Sequence, residues 1–474
     1  MLRFDGCCFW GVGARPQLGD IAWGQAPFTE YSQNVHNALA PNMLGPGPRR
    51  LKSVYINWIW GQAPIGSKLQ NGLHKSEDIM NKIKSVYKEN SYFKVFLTSL
   101  VVTGLGYGIY KGVIDNYMAE VVGMGEFDRG LAEFFREIPG LLLIFILAAL
   151  YTFSAQKLYK LGALIMLVGM GMLSVVSPAK VLVTIAVCIY SLGEHIQLGM
   201  KNTLSLEYAK DNQGGQALGY QNAMYQIGTL LGYIVIIIAF SILVATKPYR
   251  LFFAIATLIM GVGTIFAFKI HGNCETDKSK SRFYFRKKFT KYYMLEVFYG
   301  ARKQVFFTFG PYVLILFYGA SASVISLLFA ISAICCFFLA PTVGKIIDKL
   351  GYKIVMISDT LILVIVCFFY GFAHHIFPKD VAFVVCCVNY ILDSIISLAS
   401  MASNVYVQDI SDNREEVKAT ISTGISVNHL ITILIALFGG YIWQKLGIEM
   451  LFIISAILGL CNSAYAATIK NKNS

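Results

Sequence analysis

Between residues 92 and 469 the chain switches repeatedly between two textures. Continuous apolar runs, each about 20 residues long, are separated by short polar breaks rich in Lys, Asp, Gly and Asn. The runs do not alternate apolar with polar, so barrel strands are excluded. As helix, each run crosses roughly 30 Å of hydrocarbon. The pattern predicts twelve such helices, at about 93–117, 130–154, 158–176, 180–200, 217–244, 250–269, 292–318, 321–343, 352–373, 379–402, 418–442 and 447–469. The expected fold class is therefore an all-α membrane protein.

Composition agrees. Of 474 residues 56% are hydrophobic and 14% charged, which is outside the range of soluble globular domains. The net charge of +13 would suggest nucleic acid in a soluble protein, but here the basic residues cluster in alternate loops. Those loops and termini hold over twenty Lys and Arg, against about half a dozen on the opposite side. The positive-inside rule then places both termini in the cytoplasm of a multi-pass cell-membrane protein. Most of the ten cysteines lie inside apolar runs and none has metal-ligand spacing. They read as helix-packing residues, and no metal or cofactor is expected.

Residues 1–79 differ from the rest. They are rich in Gly, Pro, Asn and Gln, and a pentapeptide occurs twice, at Trp23–Pro27 and Trp60–Pro64. The segment reads as a non-domain stretch, either disordered or translated from upstream of a working start at Met80. The expected layout continues with a six-helix bundle over 80–270, a basic cytoplasmic linker over 271–291 and a second six-helix bundle over 292–474.

The two bundles echo each other in order. Cys188 to Glu194 and Cys387 to Asp393 are both six residues apart, and Gly232-Tyr233 precedes Gly440-Tyr441. Lys160-Leu161-Gly162 falls where Lys349-Leu350-Gly351 falls, with Tyr159 in the place of Asp348. Gly344-Lys345-Ile346-Ile347-Asp348-Lys349-Leu350-Gly351-Tyr352-Lys353 reads as a tight charged hairpin between two apolar runs. This Gly-x-x-x-Asp-Lys-x-Gly-x-Lys pattern resembles the signature loop of the major facilitator superfamily. The parallel 6+6 repeat is that family's layout as well. The resemblance covers about 92–470. It implies two pseudo-symmetric six-helix bundles around a central cavity lined by spans one, four, seven and ten. It also implies a gating role for Gly344, Asp348, Gly351 and Lys353, the glycines making the turn and the aspartate capping a helix.

Ionisable groups inside spans are costly and are candidates for function. Span one carries Lys111 and Asp115 one turn apart, able to pair. Span four carries Glu194, span ten Asn389 and Asp393, and span seven Arg302 and Lys303. A guanidinium fork at Arg302 suits a carboxylate or phosphate, with Asp393 or Glu194 carrying a coupling proton. The alternative is an ion pair of Arg302 or Lys303 with Asp393 or Glu194 that braces the halves. Glu194 and Asp393, being repeat-related, are expected to face each other. Arg129, Glu133, Arg136 and Glu137 near the outer end of span two read as a self-neutralising set or an outer gate. Asn428 and His429 read as interhelical hydrogen-bonding residues.

No phosphate-binding loop, metalloprotease helix or nucleophile elbow occurs, so the chain is not expected to be an enzyme. The favoured function is secondary active transport of a small, anionic-leaning solute by a monomer in the bilayer, with H+ as coupling ion. An uncoupled facilitator and a non-transporting sensor or partner subunit are the alternatives.

Overall fold

A computed structural model describes residues 81–89, 91–150, 153–211, 213–243, 247–271 and 285–469. The segment 1–79, the greater part of the linker and the terminal lysines Lys470 and Lys472 lie outside the described residues. The described residues cluster as two units, 81–89 in the first and those from 91 onward in the second. The first has one short helix, over 81–86.

The second unit is almost wholly helical. Its helices are α1 (Phe93–Glu120), α2 (Glu126–Ala149), α3 (Ala155–Val175), α4 (Lys180–Tyr208), α5 (Gly214–Ile242) and α6 (Tyr249–Phe268). After the linker come α7 (Thr290–Tyr318), α8 (Ala322–Leu350), α9 (Tyr352–Ile376), α10 (Lys379–Ile396), α11 (Met401–Ile410) and α12 (Arg414–Ala467). A 3-10 turn, Ser397–Ser400, joins α10 to α11, so the two make one crossing. α12 is broken at Gly447, at φ 92° and ψ 167°, into two arms. Among the described residues twelve helical segments result, each overlapping one of the apolar runs.

Nine stretches among the described residues are long and apolar enough to cross a membrane, the last being the double-length Ala419–Ala467. α2 and α7 fall short of that criterion because they carry the charges discussed below. Lipid-facing positions explain the large exposed apolar side chains, such as Leu258 at 72% and Phe338 at 70%. A soluble protein does not leave such a belt exposed.

Packing follows the six-helix repeat. In the first half α1 packs on α5 and α6, and α3 on α4 and α6. Gly104 and Gly108 on α1 meet the α5 backbone at Tyr225 and Thr229 so closely that a Cβ would collide with the carbonyl oxygens. Gly228 and Gly232 of α5 reciprocate against Val101 and Leu105. These glycines allow close helix packing in lipid. Between halves, α2 packs on the first arm of α12, and α5 on α8. Shifting by six segments converts one pair into the other, which is the pseudo-two-fold relation.

The halves meet toward the face that holds the α1–α2 and α7–α8 turns. There Asn116 Nδ2 donates to Ala320 O at 2.8 Å, Ser326 Oγ to Gly112 O at 3.2 Å, and Tyr312 OH to Met124 O at 2.7 Å. Gly440 brings α12 against Glu126 and Phe127, where a Cβ would lie 2.8 and 3.1 Å from their backbones.

The signature stretch is shorter than its sequence implies. Gly344 lies inside α8 and Asp348 on its exposed last turn. Gly351 alone turns the chain, at φ 84° and ψ 151°, and Lys353 is already in α9. Lys, Ile and Leu sustain a helix, so α8 runs on until the glycine. The N-terminus of α9 receives no side-chain cap from Asp348: its N-cap is Gly351. In the first half the α2–α3 turn is capped by Ser154, which accepts from Lys157 N at 3.4 Å. Gly162, aligned by sequence with Gly351, lies instead within α3 against Gly193 and Gln197.

Candidate functional site

α2 places Arg129, Glu133, Arg136 and Glu137 at i, i+4, i+7 and i+8, on one helical stripe. Between the halves the stripe becomes a continuous buried ladder. Lys111 Nζ is 3.5 Å from Asp115 Oδ2, and Asp115 Oδ1 is 3.1 Å from Arg129 Nη2. Arg129 Nη1 then donates to Glu133 Oε2 at 3.0 Å. Arg136 forks onto both oxygens of Glu133 at 2.9 and 2.8 Å, and donates to Glu137 Oε1 at 2.8 Å. Its other terminal nitrogen is 3.7 Å from Glu194 Oε2 on α4.

The second half closes the ladder. Gln304 Nε2 of α7 donates to Glu133 Oε1 at 3.1 Å, and His429 Nδ1 of α12 is 3.2 Å from Glu137 Oε2. Phe307 of α7 lies under two cations, 4.7 Å from Lys111 and 5.3 Å from Arg136. Exposed ion pairs contribute about 0–1 kcal/mol. Stripping a partner from a buried pair costs about 3–5 kcal/mol, and Glu133 and Glu137 are 1% and 0% exposed. The ladder belongs to the second regime.

A small cavity opens beside it, lined by Tyr107, Tyr110, Lys111, Asp115, Arg136 and Phe307 among others. It combines aromatic faces, cations and carboxylates. Lys111 is the most loosely held cation there, with one carboxylate contact at 3.5 Å and two aromatic faces.

A second charged group lies within the C-terminal half. Arg302 Nη2 donates to Asp359 Oδ2 of α9 at 2.5 Å, and its guanidinium stacks 4.8 Å from the Tyr299 ring. Asp393 of α10 is buried within electrostatic reach of Arg302 and Lys303. Glu296 of α7 accepts from Ser403 Oγ at 2.9 Å and Asn428 Nδ2 at 3.4 Å. Gly300 makes room for that asparagine, since a Cβ would sit 2.7 Å from its Nδ2.

The structure thus brings Lys111 and Asp115 together at a cavity. It gives Arg302 a partner, Asp359, that the sequence reading passed over. Glu194 contacts Arg136, and Asp393 lies in the Arg302 group. Asn389 donates to Val385 O of its own helix at 2.7 Å. Lys303 is half-buried, as is Lys353. The residues underrated from sequence are the α2 set with Gln304, Phe307, His195, His429 and Asp359. A usable signal was present: six charges within the first twelve residues of a helix whose remainder is apolar.

Residues 293–471 match the family model of the Major Facilitator Superfamily. Solved structures of the same fold include the nucleoside transporter NupG, with 15% identity and a TM-score of 0.65 over 80% of this chain and 100% of that one. The D-xylose-proton symporter has 14% identity and a TM-score of 0.63 over 81% of this chain and 99% of its own. A POT family transporter in complex with 5-aminolevulinic acid has 11% identity and a TM-score of 0.63, over 81% and 97%. None of the curated proteins compared has a matching sequence. The chain is a multi-pass helical membrane protein. Its fold is that of the major facilitator superfamily, as the signature loop and repeat implied.

Proposed function

We propose that the protein is a secondary active transporter that moves a small solute bearing an anionic group by alternating access between its two halves, coupled to H+. The observation that carries this reading is the cavity with Lys111 on its wall. An ammonium held by one long carboxylate contact has donors to offer a solute anion, and Tyr107, Tyr110 and Phe307 offer faces for its apolar part. Asp115 is the coupling group. When the solute claims Lys111, Asp115 loses one of its two cations and takes up a proton, so that charge in the buried ladder stays balanced. Arg302, Asp359 and Asp393 brace the C-terminal half. Gly351 and the basic face it lies on form the cytoplasmic side of a cell membrane, and the chain acts as a monomer.

The fold shared with the D-xylose-proton symporter supports the alternating-access part of this reading. The test is uptake into proteoliposomes, using a solute chosen by thermal-shift screening of organic acids, nucleosides, peptides and sugars. Lys111→Gln should raise KM for an anionic solute while leaving a neutral analogue unaffected. Asp115→Asn should keep solute exchange yet lose accumulation driven by a pH gradient. Uptake that ignores both a protonophore and Asp115→Asn would favour an uncoupled facilitator.

A further inference from the structure

We propose that Glu137, His195 and His429 form a binding site for a divalent first-row transition-metal cation, with ligands drawn from both halves of the molecule. This goes beyond the transport reading and does not depend on the identity of the solute.

The three side chains come from α2, α4 and the first arm of α12. All are buried, and their candidate ligand atoms lie within 4.8 Å of one another. Two imidazoles with one carboxylate is a donor set suited to Zn2+, Co2+ or Fe2+. His429 Nδ1 and Glu137 Oε2 are 3.2 Å apart. Two tetrahedral zinc ligands at ordinary bond lengths are about 3.3 Å apart, so a metal can replace the shared proton with little movement.

The surroundings hold the ligands as a metal site requires. His195 Nδ1 is 2.8 Å from Ser191 O. A carbonyl only accepts, so Nδ1 carries the proton and Nε2 presents the lone pair. This is the usual outer support of a metal-ligating histidine. Glu137 Oε1 is held by Arg136, which leaves Oε2 turned to the histidines. Gly140 supplies the space: a Cβ there would lie 2.6 Å from His195 Nε2 and 3.0 Å from His429 Cε1. Pro139 precedes it inside α2.

Charge is balanced without the metal. The ladder's four carboxylates (Asp115, Glu133, Glu137, Glu194) meet three cations (Lys111, Arg129, Arg136), and buried Lys201, two turns beyond Glu194 on α4, lies within electrostatic reach of Glu194 as a fourth. Geometry and donor chemistry, rather than a charge deficit, therefore select the cation. A metal here ties α12 to α2 and α4 and so holds the halves in the closure seen on the α1–α2 face.

The test is Co2+ titration of the full chain purified in detergent, followed by visible d–d absorption and by thermal unfolding. The wild type should bind one Co2+ with strong, low-symmetry bands and a raised Tm. His195→Gln and His429→Gln should weaken binding by at least about 100-fold, since loss of a supporting partner alone costs 10–100-fold. His429→Cys should keep the metal and add a thiolate-to-cobalt charge-transfer band, a readout that does not depend on a variant merely failing to bind. A second histidine group, His374, His375 and Glu449, is removed by His374→Gln with His375→Gln, which should leave the bands unchanged. The proposal is overturned if the wild type binds no Co2+, if binding survives both His195→Gln and His429→Gln, or if it disappears with His374 and His375 instead.

Discussion

Glu133 of α2 and Gln304 of α7 touch across the two halves, the amide donating to the carboxylate at 3.1 Å. Glu133 also takes hydrogen bonds from Arg129 and Arg136, so it neutralises two guanidinium groups while holding the opposite half. The two roles separate by magnitude. Glu133→Gln strips a buried counterion and should cost about 3–5 kcal/mol. Gln304→Ala loses a hydrogen bond to a charged group, about 1.5–3 kcal/mol, and a neutral one to Thr308 Oγ1 at 2.8 Å, about 0.5–1.5 kcal/mol. Thermal unfolding of the two variants should therefore rank Glu133→Gln below Gln304→Ala. The reverse order would mean that the ladder does not stabilise the fold.

Why this ladder escaped the sequence reading is clear from its partners. Arg129, Glu133, Arg136 and Glu137 neutralise one another locally, and that much followed from their spacing. Gln304 and His429 lie 171 and 292 residues away in the chain from the carboxylates they meet, and no local pattern records such a contact. The spans were legible because hydropathy needs only nearest neighbours. Gly351 was legible as a turn residue because its conformation is a local property, whereas the length of the turn was not: charge alone does not end a helix. Arg302 was recognised as buried, yet its partner Asp359 was passed over, because only the folded chain brings the α9 carboxylate to the α7 guanidinium.

The Arg302–Asp359 pair is accordingly expected to brace the fold. Arg302→Gln leaves Asp359 without its counterion and should destabilise by about 3–5 kcal/mol. Replacing both, as Arg302→Met with Asp359→Leu, should recover part of that loss, because apolar substitutes for a buried pair are often neutral while Asp393 still loses the Arg302 charge. A double-mutant cycle on thermal unfolding checks this. If the double variant is stable but transport is lost, Arg302 acts on the solute after all.

The two signature glycines should respond oppositely. Gly351 adopts φ 84° and ψ 151°, a region open almost only to glycine, so Gly351→Ala should cost about 1–3 kcal/mol. Gly344 lies in the α8 helix, and a Cβ there meets nothing within 4 Å. Gly344→Ala should therefore be neutral or stabilising by up to about 1 kcal/mol. A loss of transport in Gly344→Ala without a loss of stability would show that this glycine serves another conformation, one in which its surroundings are closed.

Closure between the halves can be trapped directly. Ser241 near the end of α5 and Ser323 at the start of α8 bring their hydroxyls to 3.0 Å. Cysteines at both positions would bring their sulfurs to where these hydroxyls meet, and oxidation can then join them. Under oxidation the Ser241→Cys, Ser323→Cys variant should yield the linked peptide by mass spectrometry. Its Tm should rise, because the bond constrains the unfolded chain across 82 positions. Transport should stop and return on reduction, since alternating access requires this contact to open in every cycle. A cross-linked protein that still transports at the wild-type rate would rule out the α5–α8 contact as part of the moving gate. The solute path would then have to open elsewhere, and the packing of α2 on α12 at Gly130 and Gly440 would be the next interface to lock.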